Sequence, residues 1–208
     1  MVNYFDTVAQ NWDENKVHLK RTKAIAAALL QMVDINKNMQ ALEFGAGTGL
    51  LSFALQKYFA EITLMDSSAE MIKTTFEKII YAGNKKLIPV YFDLEKKEFT
   101  DRSFDVIFTQ MALHHVNNID RIIGRFNNLL NPGGILAIAD LYSEDGTFHD
   151  MLFNGHYGFD PEELSKKLKK KGFININHKR VFIIRKENGE KPKKKYPVFL
   201  LTAEKPKS

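Results

Sequence analysis

The strongest constraint on the fold is an alternation of short apolar segments with longer amphipathic ones from residue 39 onward. Residues 39–44 read as a strand, 50–59 as a helix, 62–65 as a strand and 68–81 as a helix ended by Gly83. Strands at 87–92 and 104–109 follow. Ile119, Ile122, Ile123, Phe126 and Leu130 then share one helix face, and Asn131-Pro132-Gly133-Gly134 stops that helix before a strand at 135–139. Strands separated by helices pair in parallel, and the crossovers cover both faces of the sheet. The site of such a sheet lies at the carboxyl ends of its strands.

The last third breaks the rhythm. Asp160-Pro161-Glu162-Glu163 has a capping aspartate, proline at the first helical position and glutamate three residues past the cap, and Gly172 ends the helix it starts. Two strand-like runs follow, 174–185 and 198–203, joined by a polar loop through Asn188-Gly189. With no helix between them, they pair most simply as an antiparallel hairpin. Upstream, the spacing of Ile25, Ala28, Leu29, Met32 and Val33 predicts a helix.

At 208 residues and 44% apolar, the chain is long enough for one domain with a sizeable core. No apolar run approaches the ~20 residues that span a bilayer. The absence of cysteine excludes disulfides, thiolate nucleophiles and cysteine-held metals. The first residues lack the basic and apolar stretches of a secretory signal, so a cytoplasmic location is expected. Charge is uneven: residues 1–165 hold 15 Lys/Arg and 22 Asp/Glu, whereas residues 166–208 hold 15 and 3. That gradient fits a polyanion-binding face. It fits better a helix whose last turn holds Lys166, Lys167 and Lys169 to Lys171, followed by an exposed hairpin loop in which Lys191 and Lys193 to Lys195 flank Pro192 and Pro197.

The densest chemical signal is Leu42-Glu43-Phe44-Gly45-Ala46-Gly47-Thr48-Gly49, between the first strand and its helix. Its glycines permit a sharp turn and close approach of a ligand. A dinucleotide fingerprint would need G-x-G-x-x-G, and Leu50 stands at the sixth position. Glu43 beside the turn opposes a pyrophosphate, and a ligand with an ammonium group fits better. Asp66 ends the second strand, where a carboxylate can accept both hydrogen bonds of a ribose diol. Asp93 ends the third strand, where it can accept from an adenine amino group. Either acid alone is more often a helix cap or solvated turn; their place at consecutive strand ends beside the glycine turn reverses that balance in favour of a ligand.

With these residues, the chain resembles the class I S-adenosylmethionine-dependent methyltransferases over nearly its whole length, in the small-molecule branch related to the ubiquinone and menaquinone enzymes. Glu43-x-Gly45-x-Gly47-x-Gly49 resembles that family's first motif, and Asp93-Leu94 its adenine-side pair. Phe104-Asp105-Val106-Ile107-Phe108 resembles its fourth strand, and Tyr4-Phe5-Asp6-x-x-Ala9-x-x-Trp12-Asp13 the opening of that branch. The resemblance implies a Rossmann-like, doubly wound α/β sheet of seven strands, mostly parallel with an antiparallel C-terminal hairpin strand. It implies one domain over 1–208, with residues 1–35 as a helical lid and 36–208 as the core.

It also implies a cofactor, S-adenosyl-L-methionine, released as S-adenosyl-L-homocysteine. Gly45 and Gly47 would face its methionine part, with Ala46 and Gly49 also in the cofactor-binding turn, and Glu43 its ammonium, directly or through water. Asp66 would hold the ribose, with Ser67 beside the adenine; Asp93 and the Leu94 amide would read the adenine edge, and Gln110 would lie under the methionine. In-line methyl transfer depends on alignment, and a histidine base is optional. His114 and His115 follow the fourth strand, and adjacent residues diverge, so one of them, His115, is expected in the pocket. Tyr4, Trp12, Tyr142, His149, His156 and Tyr157 are candidate substrate walls. Gln110 in place of a strand-end acid, leaving only Asp140, argues against a metal. The expected partner is a small-molecule acceptor of unspecified identity; an RNA acceptor or a non-catalytic cofactor-binding role are the alternatives, and the oligomeric state is open.

Overall fold

The computed structural model describes residues 4–149, 153–186 and 194–207. A single seven-stranded sheet runs in the order β3-β2-β1-β4-β5-β7-β6, with β1 Gln40–Phe44, β2 Glu61–Asp66, β3 Leu87–Tyr91, β4 Phe104–Gln110, β5 Leu130–Leu141, β6 Ile174–Lys186 and β7 Lys194–Glu204. Strands β1 to β5 are mutually parallel, and β7 lies antiparallel between β5 and β6. This is the Rossmann-like α/β sheet expected, with one reversed strand near its C-terminal edge.

The helices are α1 Tyr4–Val8, α2 Lys16–Met32, α3 Leu50–Leu55, α4 Ala69–Tyr81, α5 Ile119–Leu129 and α6 Pro161–Lys170. The period of two along each strand feeds both faces. Val106 and Phe108 of β4, with Val198 and Leu200 of β7, pack into a layer with Ile25 and Leu29 of α2 and Leu51 of α3. Ile107 of β4, with Phe199 and Leu201 of β7, packs against Ile122, Ile123 and Phe126 of α5 and Leu164 and Leu168 of α6. Burying one Leu, Ile or Phe side chain contributes about 1.5–3 kcal/mol, so these layers supply most of the driving force. Among the described residues, no helix is long and apolar enough to cross a membrane.

Local signals set the helix ends. Ser68 accepts from Met71 N–H ahead of α4, and Asn118 from Arg121 N–H ahead of α5. Asp160 accepts from Glu162 N–H with proline at the first turn of α6, and Gly172 follows in the left-handed region. The basic cluster behaves as helix surface: Lys167, Lys169 and Lys170 fill the last turn of α6, where cations offset the dipole.

Two sequence expectations change. The Asn131-Pro132-Gly133-Gly134 stop is itself part of β5, which begins at Leu130 opposite Phe104 and carries an irregularity before Ile135. Gly133 takes φ +77 there, and a side chain on Gly134 would meet Asn131 O at 2.8 Å, so the extra residues fit only as a glycine bulge. Lys194, Lys195 and Pro197, expected in the hairpin loop, are strand residues of β7. Pro197 lies one position past the β5 ladder, where its missing N–H breaks no β5 pair and its carbonyl accepts from Tyr142 N–H. Asn188-Gly189, Lys191, Pro192 and Lys193 lie outside the described residues.

Candidate active site

The order of the sheet reverses between β1 and β4, and a cavity of about 330 Å³ opens above their carboxyl ends. Its floor is the turn after β1. Gly45 sits at φ +64, and a Cβ there would stand 2.4 Å from Ala112 Cβ; Gly47 sits at φ +53. Gly45, Ala46 and Gly47 line the cavity. Gly49 does not: it is the left-handed residue ahead of α3, and a side chain on it would strike Leu64 at 2.6 Å. Its part is to start the helix.

Asp66, Ser67, Asp93, Leu94 and Gln110 also line the cavity, so Asp66, which ends β2, and Asp93, which lies two residues past the end of β3 rather than ending it, converge with the glycine turn. Asp66 Oδ2 accepts from Gly47 N–H at 2.7 Å and Oδ1 from Ser68 N–H at 2.8 Å, which ties the turn to the end of β2. Burial raises its pKa, and the backbone N–H groups of Ser68, Gly47 and Ser67 oppose that shift. Asp93 combines both roles weighed for it. It faces the cavity while Oδ1 caps Glu95 N–H at 3.0 Å and Oδ2 pairs with Lys96 at 2.7 Å. Gln110 Oε1 accepts from Thr22 Oγ1 at 3.1 Å, which fixes the amide under the roof.

Glu43 is placed differently from the expectation. It is fully buried behind the turn and does not line the cavity; its Oε2 accepts from Ser52 N–H at 3.0 Å and from the Ser52 hydroxyl. Burial pushes its pKa up to about 8, against those two bonds. A protonated carboxyl here braces the start of α3 and offers no charge to a ligand.

The roof comes from the N-terminal segment. Phe5 and Trp12 line the cavity. Asp6 accepts from the Ser68 hydroxyl, and Asp13 accepts from Thr48 and pairs with Lys78. Tyr4 opens α1, but its side chain lies outside the described residues.

Arg21 of α2 was not anticipated. It is 5% exposed, lines the cavity, and its Nε makes no hydrogen bond. Burial lowers its pKa to about 10, with the nearby Asp140 opposing, so it stays cationic at neutral pH. The signal was present in the sequence: Arg21 falls one turn before Ile25 on the apolar stripe Ile25, Ala28, Leu29. A charge in register with a buried face needs a partner.

Of the two histidines, His115 lines the cavity and His114 does not. His114 is 1% exposed and its Nδ1 lies 2.6 Å from Asp140 Oδ1. His115 stands edge-on to Phe5 at 4.9 Å. Burial, then His114 and His149, push its pKa down to about 3. Such an imidazole stays neutral and is a weak base at neutral pH, which does not suit the proton-gathering role considered for it.

The other wall candidates do not line this cavity. Tyr142 packs edge-on to Phe199 at 5.4 Å. His156 bonds the Val116 carbonyl at 3.0 Å, and Tyr157 is 48% exposed. His149 stacks on Phe153 beside the His114–His115 turn. Phe44, Met71, Phe92 and Val116 supply apolar lining that sequence could not separate from core.

A glycine turn and two acids thus meet around one cavity at the point where the strand order of a Rossmann-like sheet reverses. Residues 17–182 match a family model described as a methyltransferase domain. The chain belongs to that family: it is a class I S-adenosylmethionine-dependent methyltransferase. The polyketide synthase-nonribosomal peptide synthetase pyiS of Pyricularia grisea is 28% identical over 198 residues, 85% of this chain but 5% of that protein. The chain thus spans about one-twentieth of that relative. Among solved structures, the complex between the Haloferax volcanii Trm112 methyltransferase activator and a methyltransferase contains a chain of the same fold, with TM-score 0.81 and 16% identity over 99% of both chains. Haemonchus contortus phosphoethanolamine N-methyltransferase 2 in complex with S-adenosyl-L-methionine gives TM-score 0.71 and 17% identity over 99% of this chain and 60% of the other.

Proposed function

We propose that the cavity binds the cofactor with its methionine part over Gly45 to Gly47 and its ribose on Asp66. Asp93 and the Leu94 amide read the adenine, and Arg21 takes the carboxylate. The lid is the segment 4–14; α2, which the expected 1–35 lid included, instead packs Ile25 and Leu29 into the core layer, and a small-molecule acceptor enters beneath Phe5 and Trp12. When held there, the cofactor's sulfonium would supply an electrophilic methyl group for in-line displacement by the acceptor.

The observation that carries this reading is charge placement. One cavity has a buried, cationic Arg21 on one wall and the Asp66 carboxylate on another, matching the carboxylate and the diol of one ligand. Gly45 and Gly47 line the same cavity without bringing a side chain into it. The aromatic roof excludes water and limits the approach of the acceptor, which is where most of the rate gain of a displacement without acid–base help arises.

A small acceptor is favoured over RNA because several lysines of the C-terminal third are engaged locally. Lys166 pairs with Glu163, Lys167 with Asp120 and Lys194 with Asp145, while Lys205 donates to the carbonyls of Asn127 and Leu130. Phosphates would have to break those contacts. The names of pyiS and of the phosphoethanolamine enzyme also belong to small-molecule chemistry.

Calorimetry with S-adenosylhomocysteine tests the pocket. Asp66→Ala removes two charge-assisted hydrogen bonds of about 1.5–3 kcal/mol each, so affinity should fall at least about 100-fold. Unchanged affinity in a variant that melts cooperatively would refute the placement. Release of S-adenosylhomocysteine across a panel of hydroxyl, amine and carrier-bound acceptors then separates an enzyme from a cofactor-binding regulator.

A further inference from the structure

The rim of the cavity beyond β4 holds a cluster that the methyl-transfer reading does not use. His114 and His115 form the short turn after β4, and His149 arrives from the connector after β5. The three rings gather with centroids 4.2 Å apart for His114 and His115, 5.0 Å for His114 and His149, and 5.5 Å for His115 and His149. One donor nitrogen from each lies within 4.8 Å of the other two.

The surroundings orient these rings. The Asp140 carboxylate is completely buried; it accepts from the backbone N–H groups of His114 and Leu141 and lies 2.6 Å from His114 Nδ1. A carboxylate in that position places the proton on Nδ1 and the lone pair on Nε2, which is how histidine ligands of metal ions are commonly aligned from behind. Phe153 stacks on His149 at 3.8 Å, Phe148 meets the same ring edge-on at 4.8 Å, and Phe5 meets His115 edge-on at 4.9 Å. These aromatic rings form apolar walls around the cluster.

We propose that His114, through Nε2, with His115 and His149, forms a binding site for a divalent first-row transition metal ion of the zinc type, with an open coordination position toward the cavity that His115 lines. Three nitrogens about 2.0 Å from a tetrahedral ion stand about 3.3 Å apart, so the widest pair here has to close by at most about 1.5 Å. His115 and His149 are only partly buried and can make that adjustment by rotating. The donors are all imidazole nitrogen, a set that selects zinc, cobalt, nickel or copper over magnesium and calcium. Three protein ligands and one free position is also the pattern of ions that take part in reactions. The expectation of no metal considered the strand-end acids and the missing cysteines, and this set is neither; it assembles only when the connector after β5 folds back across the end of β4. An ion there would stand beside the acceptor. That use rests on the proposed function, but the existence of the site does not.

The test uses the full chain stripped with a chelator and titrated with Co²⁺. Expected is one equivalent of cobalt with the visible absorption of four- or five-coordinate geometry, bleached by Zn²⁺. His149→Ala and His115→Ala should each weaken it by at least about tenfold, and Asp140→Asn by about 10–100-fold. His178→Ala, on β6 and bonded to Glu162, should leave it unchanged. No such spectrum, a spectrum that survives His149→Ala, or equal loss in His178→Ala would overturn the proposal. His149 is the deciding position because the fully buried His114 also supports the fold. Binding of S-adenosylhomocysteine to the same stripped protein is read separately, so failure of the metal site and failure of the cofactor pocket give different results.

Discussion

Replacing Glu43 by glutamine should change how the stability of the chain depends on pH. One oxygen of this buried carboxyl accepts from Ser52, and the other has no hydrogen-bond partner among the described residues. Its pKa is raised from 4.5 to about 8, with burial the main cause. Over that interval the folded chain keeps a proton that the unfolded chain has lost. The stabilisation is therefore complete below the unfolded value, declines as pH rises toward the folded one, and is flat beyond it. A difference of one bound proton is worth about 1.4 kcal/mol per pH unit, or about 3 kcal/mol between pH 5 and 7.5. Glutamine keeps the shape and an acceptor for Ser52 but does not titrate. Any fixed cost of its amide group is the same at every pH, so only the slope carries the signal. Urea unfolding at several pH values should show the variant gaining about 3 kcal/mol on the parent across this range at constant m. Parallel curves for the two chains would refute a neutral carboxyl at this position.

Two further outcomes concern the cavity itself. Gly45→Ala adds a carbon 2.4 Å from Ala112 Cβ at φ +64. Strain and overpacking of about 1–3 kcal/mol each should lower both the melting temperature and the affinity for S-adenosylhomocysteine; calorimetry and a thermal melt that show neither would mean the turn is looser than described. Arg21→Met should weaken S-adenosylhomocysteine by at least about tenfold, the loss of one or two hydrogen bonds from a charged donor. An analogue lacking the carboxylate should bind parent and variant alike, and an equal loss for both ligands would remove Arg21 from the carboxylate.

Much of the fold was legible because its signals are local. Glycines end α4 and follow α6, polar caps start α4, α5 and α6, and the two apolar periods separate helix from strand. What escaped depends on distant partners. Pro197 looks like a loop residue until β7 is seen to outrun β5, and Pro132-Gly133-Gly134 looks like a stop until Phe104 pairs with Leu130. In the site, Asp66 and Asp93 were readable because parallel strands bring their ends together. Glu43 was misplaced because the alternation of a strand gives a side chain's face, not its depth behind the following turn. Arg21 was overlooked as one basic residue in a basic helix start, although its register with Ile25 marks it as inward-facing.

The N-terminal segment is fastened over the cavity by Asp6 to Ser68 and by Asp13 to Thr48 and Lys78, while the apolar layers of the sheet lie elsewhere. These three contacts join five side chains, none of which belongs to either apolar layer, so each can be exchanged without removing a core residue.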